Sequence, residues 1–225
     1  KEGGFFLLKD KREIMKNETF LKTKLSLRKK AIEVTEKFNV IFEELGDDLA
    51  TNSTLDSWTI SESVTHVYLV NQYLIKKLEK KIEFLHAGLL NNENEYKESD
   101  LSVVNSMLNI SVFKIKSLNE FSTKLNYSKD ELHLKIIGQF RILFNLITKV
   151  PLDFVNNYLT DMKVISGIRL DGYQLIYFAL IHSEHHLNQI ITEVSIHELL
   201  AKSTKRLKHK NSTKNILVKT YGFIH

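Results

Sequence analysis

The chain has no cysteine, which excludes disulfides, thiolate-held zinc ribbons and a thiol nucleophile of its own. Any metal must therefore sit on histidine nitrogen and carboxylate oxygen. One proline and eight glycines in 225 residues predict a strongly helical chain, long enough for a single well-buried domain. Long apolar runs are also missing. No stretch approaches the roughly 18 to 20 residues of a membrane-spanning helix, and "GGFFLL" at residues 3 to 8 is shorter than a signal-peptide core. A soluble protein with no membrane partner is expected, and the lack of cysteine agrees with a reducing cytoplasm.

Acidic residues are scarce at both ends. Residues 201 to 225 hold seven Lys/Arg and no acid, and residues 1 to 30 hold ten against four. Residues 31 to 200 then hold fifteen against twenty-three, so the body is acidic although the whole chain is formally +5. Basic ends on an acidic body read as solvated tails. A nucleic-acid surface would need cations interleaved with aromatics on a folded face, and nucleic acid is not the expected partner. The domain reading is an N-terminal extension over 1 to 18, with Met15 as the expected native start, a bundle over 19 to 200, and a basic tail over 201 to 225.

Helical periodicity dominates what is present. "LRKKAIEVTEKFNVIFEEL" sets Leu27, Ile32, Val34, Phe38, Ile41, Phe42 and Leu45 mainly three and four apart, before Gly46. The second helix starts after cap-competent Asp56 and Ser57, carries Ile60, Val64, Val67, Leu74 and Leu78 on one face, and ends near Gly88. "NNENEYKESD" is a polar loop, and "LSVVNSMLNISVFKIKSLNEF" after it is either a helix or an extended connection. "SKDELHLKIIGQFRILFNLI" opens on a capping box, Ser128 with Glu131, and stops at Val150 before Pro151. The last long helix is capped by Asp171, after a turn containing Gly167, and runs toward Leu200. Four long amphipathic segments predict an all-α fold, a four-helix bundle with a long connection between its second and third main helices.

On the last helix Ile176, Leu180, Leu187, Ile191 and Val194 form one apolar stripe, with His182 and His186 one above the other at its margin. Four residues apart, the two imidazoles can reach one ion. Leu175, Ala179, Gln189 and Glu193 share that edge, and His185 is turned roughly 60° to 100° away. The pair alone is a weak signal that also suits a polar core edge, and two imidazoles leave an ion short of the three protein ligands usual in catalytic sites. His66, at the border of the second helix's apolar face in register with Thr59, Ser63, Val70 and Tyr73, is either that third ligand or a core-edge histidine bonded to a neighbouring helix.

"WTISESVTHV" at 58 to 67, followed by "SGIRLDGYQLIYFALIHSEHHLNQI" at 166 to 190, resembles the DinB/YfiT-like superfamily of metal-binding four-helix bundles. There a Trp-Ser/Thr-x-x-Glu start leads to one histidine on the second helix, and a final helix carries His-x-x-x-His followed by Gln-Ile. The resemblance spans residues 20 to 200 and implies that His66, His182 and His186 form a metal triad, with His185 at an often basic, non-ligating position. It sets Trp58 at the start of helix two as a packing residue and Gln189 as a brace for a ligand or a tie to a neighbouring helix.

The resemblance further implies a divalent transition metal, with zinc, nickel, manganese and iron all suited to imidazole. Related proteins include transferases and an isomerase that use low-molecular-weight thiols such as bacillithiol, mycothiol or glutathione. The expected function is a metal-dependent transferase that activates such a thiol toward a small-molecule substrate. A metal-dependent hydrolase and a non-catalytic metal-binding stress-response or interaction module are the alternatives. No general base is identifiable: Glu62, one turn before His66, and Glu193, two turns after His186, read as solvated or ion-paired. Tyr73 is a pocket candidate that also suits core packing, and an exposed stripe on helix one would suit a homodimer.

Overall fold

The computed structural model describes residues 3–45, 59–87, 99–109, 127–150, 160–161 and 169–193, with side chains from Glu18 onward except those of Leu108, Asn109, Thr160, Asp161 and Glu193. The expectations resting on Gly46, Asp56, Ser57, Trp58, Gly88, Gly167, Val194, the Glu193 side chain and the basic tail lie outside the described residues. The helices are α1 (Gly3–Glu44), α2 (Ile60–His86), α3 (Ser102–Asn109), α4 (Lys129–Lys149) and α5 (Gly172–Glu193). Between α4 and α5, β1 (Thr160–Asp161) and β2 (Arg169–Leu170) make a minimal antiparallel pair with Thr160 opposite Leu170. All-α is the fold class. The amphipathic segment from Leu27 is the C-terminal part of a longer helix that starts at Gly3.

The helix ends follow local chemistry. Ser128 caps α4 as expected, accepting from the Glu131 N–H while the Glu131 carboxylate accepts from the Ser128 N–H at 2.8 Å. The N-cap of α2 is Thr59, three residues beyond the position expected from Asp56. Its hydroxyl accepts from the Glu62 N–H at 3.1 Å, and Glu62 accepts from the Thr59 N–H at 2.7 Å. Only Thr59 has a Glu at the third helical position, so only there can two orphan donors be satisfied reciprocally. Asp171 caps α5 in the same way with Gln174, the two bonds measuring 2.8 and 3.0 Å. Replacing Thr59 or Ser128 by alanine is expected to cost about 1 kcal/mol each in urea unfolding. Unchanged midpoints would contradict these cap assignments.

Packing does not follow chain order. The main packed pairs are α1 with α4, α4 with α2, α2 with α5, and α5 with α1, so the four long helices form a ring in which α1 and α2 sit on a diagonal. Lys24 Nζ donates to Thr148 O at 3.1 Å and Lys129 Nζ donates to Leu45 O, so α1 and α4 are antiparallel. Phe20 lies on Tyr173 at one end while Lys30 and Lys37 meet Glu184 further along, so α1 and α5 are parallel. Across α2 and α5, His66 meets His186 and Asn71 meets Ser183, an antiparallel pair. The sequence of directions is up, down, down, up. Since α2 and α4 run the same way, the chain between them must travel back along α2, about 40 Å at 1.5 Å per residue, which residues 87 to 128 have ample length to do.

The core is the shared interior of this ring. Val34, Phe38, Ile41 and Phe42 of α1, Val64, Val67, Leu74 and Leu78 of α2, and Leu132, Ile136, Phe140 and Leu143 of α4 are buried there. Ile32, placed by its spacing with the apolar face of α1, is only half-buried. The larger correction concerns α5. Leu175, Phe178, Ala179, Ile181 and Ile190 are buried beside the expected stripe, and Ile191 is half-buried, so the helix is covered almost all round. Its neighbours explain this, because α2 and α1 flank it and α3 packs on a further side, where Tyr177 donates to Asn105 at 2.9 Å. Ser99 donates to the Asp171 carboxylate and Gln174 donates to Asp100 O, which ties the segment leading into α3 to the start of α5.

Candidate metal centre

Histidine reaches the interior at one level of the α2–α5 interface. His66 lies seven residues after Thr59, on the inward face of α2, and is 5% exposed. His182 and His186, one turn apart on α5, are 2% and 8% exposed. The ring centroids are 5.3 Å apart for His66 and His182, 4.9 Å for His66 and His186, and 4.7 Å for His182 and His186. One nitrogen from each ring lies within 4.8 Å of the others. The pair expected at a helix margin is thus inside the core, because α2 covers that margin. Among the described residues no carboxylate joins this cluster of donor atoms.

Burial controls the charge of the three rings. It pushes His66 down to about 4, with no neighbouring charge needed. His186 is pushed down to about 3, first by burial and then by His66 and His185, against a side-chain hydrogen bond with Gln189 that favours the charged form. His182, stacked on Phe178 at 5.6 Å, is held well below its ordinary value by burial and then by the three histidines around it. All three are neutral near pH 7, the form in which an imidazole nitrogen has a lone pair to offer. Three converging neutral imidazoles suit a divalent transition ion, and a set of three protein donors leaves a coordination position for an external ligand, as in catalytic-type sites.

The remaining candidates divide clearly. His185 is half-buried, with its ring 5.6 Å from that of His186 and nearly perpendicular to it, and it does not join the converging donors. Gln189 bonds His186, so it braces a member of the triad. Glu62 is committed to the α2 cap, which removes it as a base for the site. Tyr73 is half-buried two turns beyond His66, with Lys77 Nζ 4.7 Å from the centre of its ring.

Sequence reasoning missed the polar supports of the histidine turn. Ser183 accepts from Asn71 Nδ2 at 3.0 Å and donates to Ala179 O at 2.7 Å, with both side chains fully buried. Glu184, on the opposite side of the same turn, is held by Lys30 and Lys37 of α1 at 2.5 Å each, and this pairing keeps its carboxyl below the usual range despite partial burial. Consecutive residues 182 to 184 therefore face different neighbours: the histidine cluster, α2 and α1. A Thr-x-x-Glu start was readable at Thr59, but nothing in the spacing signals either of these contacts. Among family models, curated proteins and solved structures, none matches this chain.

Proposed function

We infer that this protein is a divalent-metal enzyme of DinB/YfiT type whose three-histidine centre activates a low-molecular-weight thiol for transfer to a small electrophilic substrate. The observation that carries the reading is the convergence of His66, His182 and His186, all buried and neutral, with no carboxylate among the converging donors. The up-down-down-up bundle and the two motifs that resemble that superfamily support it. Bound there, a divalent cation supplies Lewis acidity, which lowers the pKa of a thiol or of water.

The chain's own residues supply the rest. Neutral imidazoles leave a dication's charge uncompensated, so the site favours an anionic partner such as a thiolate over a neutral one. The absence of cysteine from the chain agrees with a thiol supplied from outside. Burial of the three rings places the site in low-dielectric surroundings, which strengthens its attraction for such an anion. Gln189 holds the His186 ring in place. The metal-dependent hydrolase is the second reading, since the same acidity acts on water.

The two readings separate in one assay. Zinc-, nickel- or manganese-loaded protein is incubated with a fluorogenic electrophile, with and without glutathione, bacillithiol or mycothiol, and with an ester substrate alone. Metal-dependent conjugation that requires the thiol and disappears in His186→Ala is expected. Ester cleavage without thiol would move the assignment to a hydrolase, and loss of folding on metal removal with no turnover would make the site structural.

A further inference from the structure

We propose that Asn71 and Ser183 are positioning residues of the metal centre, a buried hydrogen-bonded latch that sets the register of α2 against α5 and so brings His66 onto the His182/His186 pair. This rests on the metal reading of the triad. Asn71 follows His66 by five residues on α2, and Ser183 lies between the two α5 ligands, so the latch and the cluster share one stretch of the interface. Both side chains are fully enclosed, at 0% exposure, and the bonds run in series from Asn71 Nδ2 to Ser183 Oγ at 3.0 Å and from Ser183 Oγ to Ala179 O at 2.7 Å.

The surroundings explain why such a latch has a function. Val67, Val70, Leu74, Leu175, Ala179 and Leu187 are buried in the same core on the two helices, and aliphatic contacts carry no directional bond that would fix one register. A buried amide does fix one, because a displaced register takes Asn71 Nδ2 away from Ser183 Oγ and leaves the amide unsatisfied in the interior, while Ser183 keeps its bond to Ala179 O. On the far side of the same turn Glu184 is held by Lys30 and Lys37. Anchored on adjacent residues toward both α2 and α1, α5 has one rotation at which His182 and His186 face His66. Stability is not the expected role, since replacing both members of a buried polar pair by apolar groups of similar size is often neutral, whereas removing one is costly.

The test uses the full chain carrying Asn71→Leu and Ser183→Ala together, with each single variant beside it. The double variant is expected to fold with a melting temperature close to wild type, yet to bind zinc about tenfold or more weakly and to give a cobalt(II) visible spectrum shifted from that of wild type. In the metal-free double variant the imidazole resonances of the three histidines, read by 1H–15N correlation, are expected to move. Wild-type zinc affinity, cobalt spectrum and imidazole shifts in the double variant would overturn the proposal. If wild-type protein itself binds neither metal, the metal reading fails, and the imidazole shifts alone decide whether the latch sets the register: unmoved resonances overturn it. If the single variants fail to fold, the double variant still carries all three readouts.

Discussion

Replacing His66, His182 or His186 by alanine is expected to abolish retention of a bound divalent metal, with affinity falling on the order of a hundredfold or more in each case, while His185→Ala retains it. The size follows from the donor count. Three neutral nitrogens converge within 4.8 Å, and no carboxylate among the described residues joins them to take over when one is lost. Loss of a partner that only orients a ligand already costs roughly 10- to 100-fold, and loss of the ligand itself exceeds that. His185 is the informative control, because it adjoins His186 in sequence and its ring lies 5.6 Å away, yet it stands outside the converging set. Metal competition titrations on the four variants check this. Equal affinity in all four would sink the ligand assignment.

Metal-free protein is expected to lose stability steeply as pH falls below about 6.5, by several kcal/mol before pH 4. The sign follows from linkage. Burial sets His66 to about 4 and His186 to about 3 in the folded chain, and His182 also lies well below its ordinary value. The unfolded chain takes up protons on these rings near the ordinary value of 6.5, so below it the unfolded state binds more protons and is favoured. Each unit of separation is worth about 1.4 kcal/mol. The contribution is fully present above 6.5 and is lost as pH drops toward the folded values. Bound metal holds the three nitrogens against protons, so the loss should begin at lower pH in loaded protein. Urea midpoints from pH 7.5 to 4, with and without zinc, measure both effects, and a His66→Gln/His186→Gln chain should show a shallower slope. A flat profile in the metal-free protein would contradict neutral burial of the triad.

The features legible in the sequence were those written by periodicity and spacing. Ile60, Val64, Val67, Leu74 and Leu78 follow the helical repeat, and all are buried on α2. The Ser128–Glu131 capping box and the Asp171 cap follow from local chemistry within a few residues, and both are present. His66, His182 and His186 stood on apolar margins, which is why they could be suspected as ligands, and the fold brings them together. What could not be read was set between segments far apart in the chain. The order of the ring depends on links whose lengths permit several neighbours, so the placement of α1 beside α4 and α5 has no sequence signature. Nor had Asn71, Ser183 and Glu184 any. Each resembles a surface polar residue, and only the packing of α2 and α1 onto the histidine turn turns them into buried or clamped groups. The cap of α2 was different, for Thr59 with Glu62 carried a readable signal that lay three residues beyond Asp56.

The most direct test of the central claim, that His66, His182 and His186 hold one divalent ion, is X-ray absorption on tag-free wild-type protein reconstituted with zinc and passed through a desalting column. The account predicts about one zinc per chain with three imidazole nitrogens at roughly 2.0 to 2.1 Å. A protein that emerges without zinc, or with zinc bound only by oxygen, would contradict it.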